Sequence, residues 1–241
     1  GGGTGTPGAP VVPEIARNLG ALTIGVITKP FSLEGEKRKE IAEEGLANLK
    51  DKVDSLIVIP NDRVMAIIDE KTSFLNAFSI VDDVLSSAVQ AISDLIIKPG
   101  IINLDFADIK TVMKDSGWAL MGVGKAKGEG RLIEAAKIAT SSPLLEVSID
   151  GAKGVLFNIS GKEDLTMKEI DEGARIITKS VNPEAKVIFG TVLDENLRKS
   201  EIKITVIATG FNQTPEIKRK KESKKDYNSF VVPQEEQEET E

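Results

Sequence analysis

The chain has 241 residues, of which 40% are hydrophobic, so it is long enough to bury a sizeable core. It contains no cysteine and no histidine, which excludes a disulfide framework, zinc sites built on those residues, and catalysis by a nucleophile–histidine pair. The net charge of −7 and the lack of a long basic patch in the body argue against nucleic acid as the main partner. No apolar run of membrane-spanning length and no signal peptide is visible, so we expect a soluble, cytoplasmic protein without membrane insertion.

The first part of the chain, residues 1–72, is predicted to be an α/β unit with a parallel sheet. It opens with GGGTGTPGAP, which composition alone would assign to a flexible linker. There follow a helix that ends at Gly20, a strand that ends at Pro30, a helix over roughly 34–50 and an apolar strand that ends at Pro60. This alternation of helices and strands is typical of a parallel sheet with covered faces.

Residues 73–104 are predicted to hold a long central helix and the loop that follows it. The apolar residues of SFLNAFSIVDDVLSSAVQAISDLII recur with the helical period up to about Ile97, and the helix stops at KPG. Because no strict heptad is sustained, a strut that joins two domains is favoured over a coiled coil. The domain junction is therefore placed at this helix.

Residues 105–211 are predicted to form a second domain, an α+β unit with a mixed sheet. Its helices alternate with the strands GWALMGVGKA, GVLFNIS, KVIFGTVLD and EIKITVIATGF, and the last two strands are predicted to pair antiparallel. Residues 212–241 separate their charges into KRKKESKK and QEEQEETE, a pattern typical of a disordered tail.

Several short stretches have residue types suited to nucleotide chemistry, and each also has a purely structural interpretation. The glycines of GGGTGT would let a phosphate approach backbone N–H groups at a helix start. Glu34 and Arg38 have the spacing of an exposed helical ion pair. Asn61 follows a strand end, where α/β sheets expose binding residues, but it could also cap the next helix. Phe78 by itself is typical of a core residue.

The stretch NLDFADIK carries two carboxylates, Asp105 and Asp108, on one face of a helix start. Spacing alone is explained by helix capping and compensation of the helix dipole. Carboxylates can equally orient an attacking water in phosphoryl transfer, which depends mainly on positioning and charge stabilisation and needs no histidine. Both interpretations stay open at the level of the residues.

Taken together, these stretches resemble FtsZ, the family of bacterial tubulin-like cell-division GTPases. The opening glycine run, TKPFSLEGEKR, DSLIVIPND, AFSIVDDVL, PGIINLDFADIKTVM and SSPLL occur in the order and spacing of that family, and the match extends from Gly1 to Phe211. The resemblance implies an α/β fold: the remainder of a tubulin/FtsZ-type Rossmann-like GTPase domain, a long central helix, and a C-terminal α+β domain with a mixed sheet. The chain would begin inside the family signature GGGTGTG, without the family's opening strand and first phosphate loop.

The resemblance also implies roles for individual residues. The implied nucleotide-binding residues are Gly3, Thr4, Gly5, Thr6, Glu34, Arg38, Asn61, Phe78 and Asp83. Phe78 would stack on the base, and Asp83 would accept the guanine donors that select GTP over ATP. The implied catalytic residues are Asn103, Asp105 and Asp108, on a loop that reaches the γ-phosphate held by the neighbouring subunit. Pro7, where the family has glycine, and Asp82, where it commonly has asparagine, depart from the pattern. Pro7 either removes one phosphate donor or starts a helix at its first position, and the second outcome is expected.

The implied function is a filament-forming GTPase of the bacterial division ring at midcell, which hydrolyses GTP to GDP with Mg²⁺ between head-to-tail copies of itself. Division-ring proteins are implied partners, although the tail shows no recognisable peptide for docking to a membrane tether. Since the first phosphate loop is absent, an assembly or binding module without independent GTPase activity is the alternative for the chain as printed. A Rossmann reductase is disfavoured, because GGGTGT does not have the G-x-G-x-x-G spacing.

Overall fold

The computed structural model of the chain describes residues 1–65, 68, 72–98, 100, 102–145 and 148–211, so the predicted tail lies outside the described residues. The helices are α1 (Gly5–Gly8), α2 (Val11–Asn18), α3 (Glu36–Lys50), α4 (Asn61–Val64), α5 (Phe74–Ile97), α6 (Phe106–Met113), α7 (Arg131–Thr140) and α8 (Met167–Lys179). The strands are β1 (Ile24–Lys29), β2 (Ser55–Pro60), β3 (Gly117–Lys127), β4 (Gly154–Gly161), β5 (Lys186–Leu193) and β6 (Glu201–Thr209). Short 3-10 turns occupy Ser32–Glu34 and Ile149–Gly151.

One mixed sheet holds all six of these strands, in the order β1-β2-β3-β6-β4-β5. β1, β2 and β3 run parallel, and so do β4 and β5. β6 lies antiparallel between β3 and β4. The α/β class and the mixed sheet are therefore confirmed.

The predicted antiparallel pairing of the last two strands is wrong. β5 pairs in parallel with β4, to which α8 connects it as a crossover helix, and β6 enters the sheet between β3 and β4. Burial explains the choice. Ile202, Ile204 and Val206 are fully buried on one face of β6, and Thr205 and Ile207 are buried on the other. A strand covered on both faces belongs in the interior of a sheet, not beside an edge.

The long helix α5 is confirmed, with Ser73 as its N-cap: the Ser73 hydroxyl accepts a hydrogen bond from the Asn76 amide at 3.3 Å. Its buried side chains, Val81, Val84, Ala88, Ile92 and Leu95, recur every three or four residues and face the sheet. With 24 residues the helix is about 36 Å long. It contacts both β1 and β5, the two edge strands, and thus spans the width of the sheet.

The sheet continues across the predicted domain junction. Ser55 to Ile57 of β2 pair with Gly117 to Ala119 of β3, so the two predicted domains share backbone hydrogen bonds. The first core, under α5, likewise contains side chains from both parts, among them Ile57, Met121 and Ile188. A second core lies on the opposite face of β4 and β6, below α7 and α8. The division at 72, 104 and 211 stays a prediction.

Within the described residues, no helix combines the length and the apolar character needed to cross a membrane.

Candidate functional site

The carboxyl ends of β1 and β2 lie side by side and carry several of the predicted nucleotide-binding residues. β1 ends at Lys29, paired with Pro60 at the end of β2. The chain then forms the 3-10 turn Ser32–Glu34 after β1, while Asn61 starts α4 directly after β2. Asp62 joins the two segments, because its carboxylate accepts from the Ser32 amide at 2.9 Å and from the Ser32 hydroxyl at 2.5 Å. Ligands of α/β sheets commonly bind at such strand ends.

Glu34 and Arg38 form the predicted ion pair, but not on one helix. Glu34 ends the 3-10 turn, Gly35 has a φ of 95°, and α3 begins at Glu36. The Arg38 Nε still lies 3.1 Å from the Glu34 Oε2, and the other Glu34 oxygen accepts from the Phe31 amide at 2.9 Å. The carboxylate is thus held in place, while the Arg38 guanidinium is largely exposed at the strand ends.

The glycine-rich signature, residues 1–6, packs against the side of α3 that carries Arg38 and Gly45. A Cβ placed on Gly1 would lie 2.8 Å from Arg38 Cγ, and one placed on Gly45 would lie 2.3 Å from Thr6 Cγ2, so both glycines allow close contact. Gly3, Thr4 and Gly5 are exposed to solvent. The signature therefore presents open backbone near Arg38.

The short helix α1 begins with Thr4 as its N-cap. Pro7 is its third residue, not its first as predicted. Proline is tolerated there, because the amides of the first helical turn have no partner inside the helix.

Asn61 is 6% exposed, and its Oδ1 is buried without a hydrogen-bond partner among the described residues. The predicted alternative, a helix cap, is not formed, because Pro60 is the N-cap residue of α4 and α4 has no side-chain capping bond. A buried polar atom without a partner is costly and requires an explanation such as a bound ligand.

Phe78 lies in the second turn of α5, half-buried, and its ring meets that of Phe31 edge to face. Helix geometry places Asp82 about 40° around the helix from Phe78, whereas Asp83 is about 140° away. Both carboxylates are exposed. Asp82, four residues after Phe78, therefore lies closer to the Phe78 face of α5 than Asp83 does. The role given to Asp83 stays a prediction.

We call this group of residues the strand-end site: Gly3 to Thr6, Glu34, Arg38, Asn61, Phe78 and the pair Asp82–Asp83. These residues are carried by the glycine-rich signature, the start of α3, the ends of β1 and β2, and the first turns of α5.

The predicted catalytic residues lie elsewhere, on the loop between α5 and α6 and in the first turn of α6. Asp105 is the N-cap of α6, and its Oδ1 accepts from the Ala107 amide at 3.1 Å. Asp108 lies in the first turn, and Asn103 accepts from the Gly100 amide at 2.8 Å. All three side chains are exposed. Asp105 therefore caps α6, as one of the two interpretations predicts. Both carboxylates are nevertheless exposed to solvent at the start of α6.

The two predicted groups lie at opposite ends of α5. Phe78 is near its start, whereas the loop packs beside Leu95 in its last turn, through Leu104 at Gly190 of β5. The rise of an α-helix puts about 25 Å between Phe78 and Leu95. One copy of the chain does not bring Asp105 and Asp108 to its own strand-end site.

No group of three or more acidic side chains within the described residues is arranged to hold a metal ion.

Comparison with known proteins assigns both parts of the chain to the same family. Residues 1–69 match the model of the Tubulin/FtsZ family, GTPase domain, and residues 117–212 match that of the FtsZ family, C-terminal domain. The chain is 44% identical to FtsZ from M. jannaschii in a structure described as an empty dimer, with a TM-score of 0.83 over 87% of this chain and 61% of that chain. A point mutant of M. jannaschii FtsZ, also 44% identical, matches with a TM-score of 0.84 over 88% of this chain and 63% of that chain.

CetZ1 from Haloferax volcanii, a GDP-bound monomer, shares the fold at 22% identity, with a TM-score of 0.71 over 90% of this chain and 64% of that chain. The chain thus spans a little less than two thirds of the length of these solved chains. Since the two family models match separate parts of the chain and the FtsZ structures match nearly all of it, the chain belongs to the tubulin/FtsZ family as an FtsZ-like protein.

Proposed function

We propose that this chain is part of a filament-forming GTPase in which the strand-end site of one subunit holds GTP and the α5–α6 loop of the next subunit completes the catalytic centre. The observation that carries the proposal is the separation of the two groups by most of the length of α5. Contact between unlike faces of two copies does not close on itself and generates filaments. The solved relative described as an FtsZ dimer supports self-association.

The strand-end site has the chemistry that a guanine nucleotide requires. Open backbone of Gly3 to Thr6 beside Arg38 would bind phosphates, and Glu34 would accept from the ribose. The Phe78 ring would stack on the base, and the Asp83 carboxylate would accept the guanine N1–H and amino group. The partnerless Oδ1 of Asn61 fits this proposal, because a nucleotide hydroxyl or amino donor would satisfy it. The GDP bound to CetZ1 gives further support.

Hydrolysis would use the exposed carboxylates Asp105 and Asp108 to orient the attacking water, with Asn103 shaping the loop. Mg²⁺ would accompany GTP and would be held chiefly by phosphate oxygens, where it neutralises charge that develops during transfer. In the cell, we propose a cytoplasmic role in the division ring at midcell, with other ring proteins as partners.

A mixing experiment tests whether the site is shared between subunits. One variant carries Asp105→Asn and Asp108→Asn, which remove the charges and keep an N-cap residue of similar strength. The other carries Arg38→Ala and Asn61→Leu in the strand-end site. Each alone should hydrolyse GTP poorly, and an equimolar mixture should recover about a quarter of the wild-type rate, because that fraction of head-to-tail contacts joins two intact halves. A mixture no more active than its components would show that the site is not shared.

A second candidate is an assembly module that joins filaments without hydrolysing GTP by itself. It is favoured by the exposure of Asp105 and Asp108 at the end of α5 opposite to the chain's own strand-end site, since carboxylates in that position can serve a neighbouring subunit. Such a module would add its α5–α6 loop to one filament end and compete there with intact subunits. Substoichiometric chain should then shorten filaments of M. jannaschii FtsZ in electron micrographs, and the Asp105→Lys variant should shorten them less. Unchanged filament length with demonstrably folded chain at equimolar ratio would exclude this role.

A further inference from the structure

We propose that Thr191 of β5 is a positioning residue for the loop that carries Asp105 and leads into the first turn of α6, where Asp108 lies. This inference rests on the proposed function of that loop. It concerns a buried hydroxyl that does not touch the nucleotide site of its own chain.

Thr191 binds both backbone polar groups of one loop residue, Ile102. The Ile102 amide donates to the Thr191 hydroxyl at 2.7 Å, and the Thr191 amide donates to the Ile102 carbonyl at 3.0 Å. Thr191 is 2% exposed, so water does not compete for these bonds. A single residue thus fixes the loop two positions before Leu104 and three before Asp105.

Gly100 allows this approach. A Cβ placed on Gly100 would lie 1.5 Å from the Thr191 carbonyl oxygen, a distance that no side chain can adopt. The Gly100 amide donates to Asn103 Oδ1 at 2.8 Å, which closes the loop on itself. The backbone at Gly100 therefore lies directly on β5 at the same residue that binds Ile102.

Apolar packing continues the contact toward the catalytic carboxylates. A Cβ placed on the neighbouring Gly190 would lie 3.2 Å from Leu104 Cγ and 2.7 Å from Leu95 Cδ2. The loop and the last turn of α5 are thus packed together over the same strand. Leu104 directly precedes Asp105, whose carboxylate accepts a hydrogen bond from the Ala107 amide within its own helix turn.

It follows that the position of Asp105 relative to the body of the protein depends on this clamp and on the buried side of α6. Catalytic groups lose much of their effect when displaced by about 1 Å. Loosening of the Thr191 contact should therefore lower turnover and leave GTP affinity unchanged, because the nucleotide is held by the other subunit.

The structural part of the proposal is tested by hydrogen exchange of the Ile102 amide in the full chain. Thr191→Val keeps the shape of the side chain and removes the acceptor, so exchange at Ile102 should accelerate about fivefold. Thr191→Ser keeps the hydroxyl and should restore protection. Thr205→Val is the matched control, because the Thr205 hydroxyl is also buried in the sheet but has no partner among the described residues. Equal exchange at Ile102 in Thr191→Val and wild type would overturn the proposal.

The catalytic part uses the mixing experiment, with the Thr191 variants placed in the subunit that donates its loop. Thr191→Val should reduce kcat about tenfold at unchanged KM for GTP, since the acceptor subunit keeps its intact site. Thr191→Ser and Thr205→Val should behave like the unmodified donor. Unchanged kcat with an accelerated Ile102 exchange would show that Thr191 holds the loop without positioning the carboxylates. A failure of every mixture, wild-type loop included, would instead contradict the shared GTPase site, and the exchange data would still decide whether Thr191 clamps the loop.

Discussion

The rings of Phe31 and Phe78 meet edge to face, with centroids 5.1 Å apart and planes at 77°. Phe31 is buried immediately after β1, and its amide binds Glu34, while Phe78 comes from the second turn of α5. The contact ties the start of α5 to the strand end that carries Glu34. The ring expected to stack on a base is therefore also a packing residue, and its two roles can be separated by experiment.

We predict that Phe31 and Phe78 stabilise the fold jointly. Phe31→Ala should lower the free energy of unfolding by about 3 kcal/mol and Phe78→Ala by somewhat less, since Phe78 is only half-buried. In a double-mutant cycle the two changes should show a coupling of about 1 kcal/mol from the aromatic contact. Urea denaturation followed by circular dichroism measures all four proteins.

The matched control is Leu75→Ala, about one turn before Phe78 on α5. Leu75 is 80% exposed, so its truncation should change stability by less than about 0.5 kcal/mol. A coupling between Phe31 and Phe78 that is indistinguishable from zero would mean that the edge-to-face contact does not contribute to stability.

The helices and strands could be predicted largely from local signals. Gly20 and Pro30 mark the ends of elements, through backbone conformation and through loss of an amide donor, and Ser73 marks a start through capping. The elements of the structure end or begin within a few residues of each. The position of β6 could not be predicted, because pairing partners depend on burial across the whole sheet. Sequence proximity to β5 was a weaker determinant than the burial of both faces of β6.

The helix α2 shows another limit of periodicity. Val11 and Ile15 in this helix and Leu19 at its C-cap share one face, which correctly predicted a helix. All three are more than half exposed in this chain, so the period identifies an apolar face without identifying what covers it. For the candidate site, the residue types of the signature and of NLDFAD were informative, whereas their separation along α5 required the structure.

The Asp82–Asp83 pair provides a test of base recognition. Asp83→Ala should weaken GTP binding about tenfold, because the proposed charged acceptor for the guanine donors is lost. Asp82→Ala should have a smaller effect. Titration with a fluorescent GTP analogue, with ATP as competitor, measures both affinity and guanine selectivity. The reverse order of effects would contradict the role proposed for Asp83 and would favour Asp82, which lies nearer the Phe78 face of α5.

Asn61 is predicted to contribute to GTP affinity and not to the free energy of unfolding. Replacement by Leu removes a buried Oδ1 without a partner, so Asn61→Leu should leave the free energy of unfolding unchanged or raise it by up to about 1 kcal/mol. GTP affinity should nevertheless fall, because the proposed acceptor is lost. Asn158→Leu is the control: Asn158 also has a buried Oδ1 without a partner, but it lies in β4, away from the strand-end site. Equal GTP affinity in Asn61→Leu and wild type would contradict the role of Asn61.

A buried ionic cluster at the start of α7 should govern acid stability. Arg131, with a side chain 5% exposed, binds Asp164 at 2.8 Å and Glu169 at 3.0 Å. The hydrogen bond from Arg131 holds the pKa of Asp164 below its ordinary value. Burial acts to raise the pKa of Glu169, but hydrogen bonds from Arg131 and Thr166 outweigh it, so this pKa is lowered too. Two carboxylates are therefore easier to ionise in the folded chain than in the unfolded one.

Because both pKa values are depressed on folding, the stabilisation they provide is fully present above the unfolded values near pH 4 and is lost as pH falls through the lower folded values. Arg131→Met should lower the free energy of unfolding by about 3 kcal/mol at pH 7, since it leaves two partly buried carboxylates without their cation. Below pH 4 the difference from wild type should shrink, as protonation makes the missing cation less important. Arg175→Met, which breaks an exposed pair with Asp171 on α8, should cost less than about 0.5 kcal/mol and leave the pH dependence unchanged. Urea denaturation from pH 7 to pH 3 distinguishes these outcomes, and a constant offset between wild type and Arg131→Met over that range would show that the Arg131 cluster does not control acid unfolding.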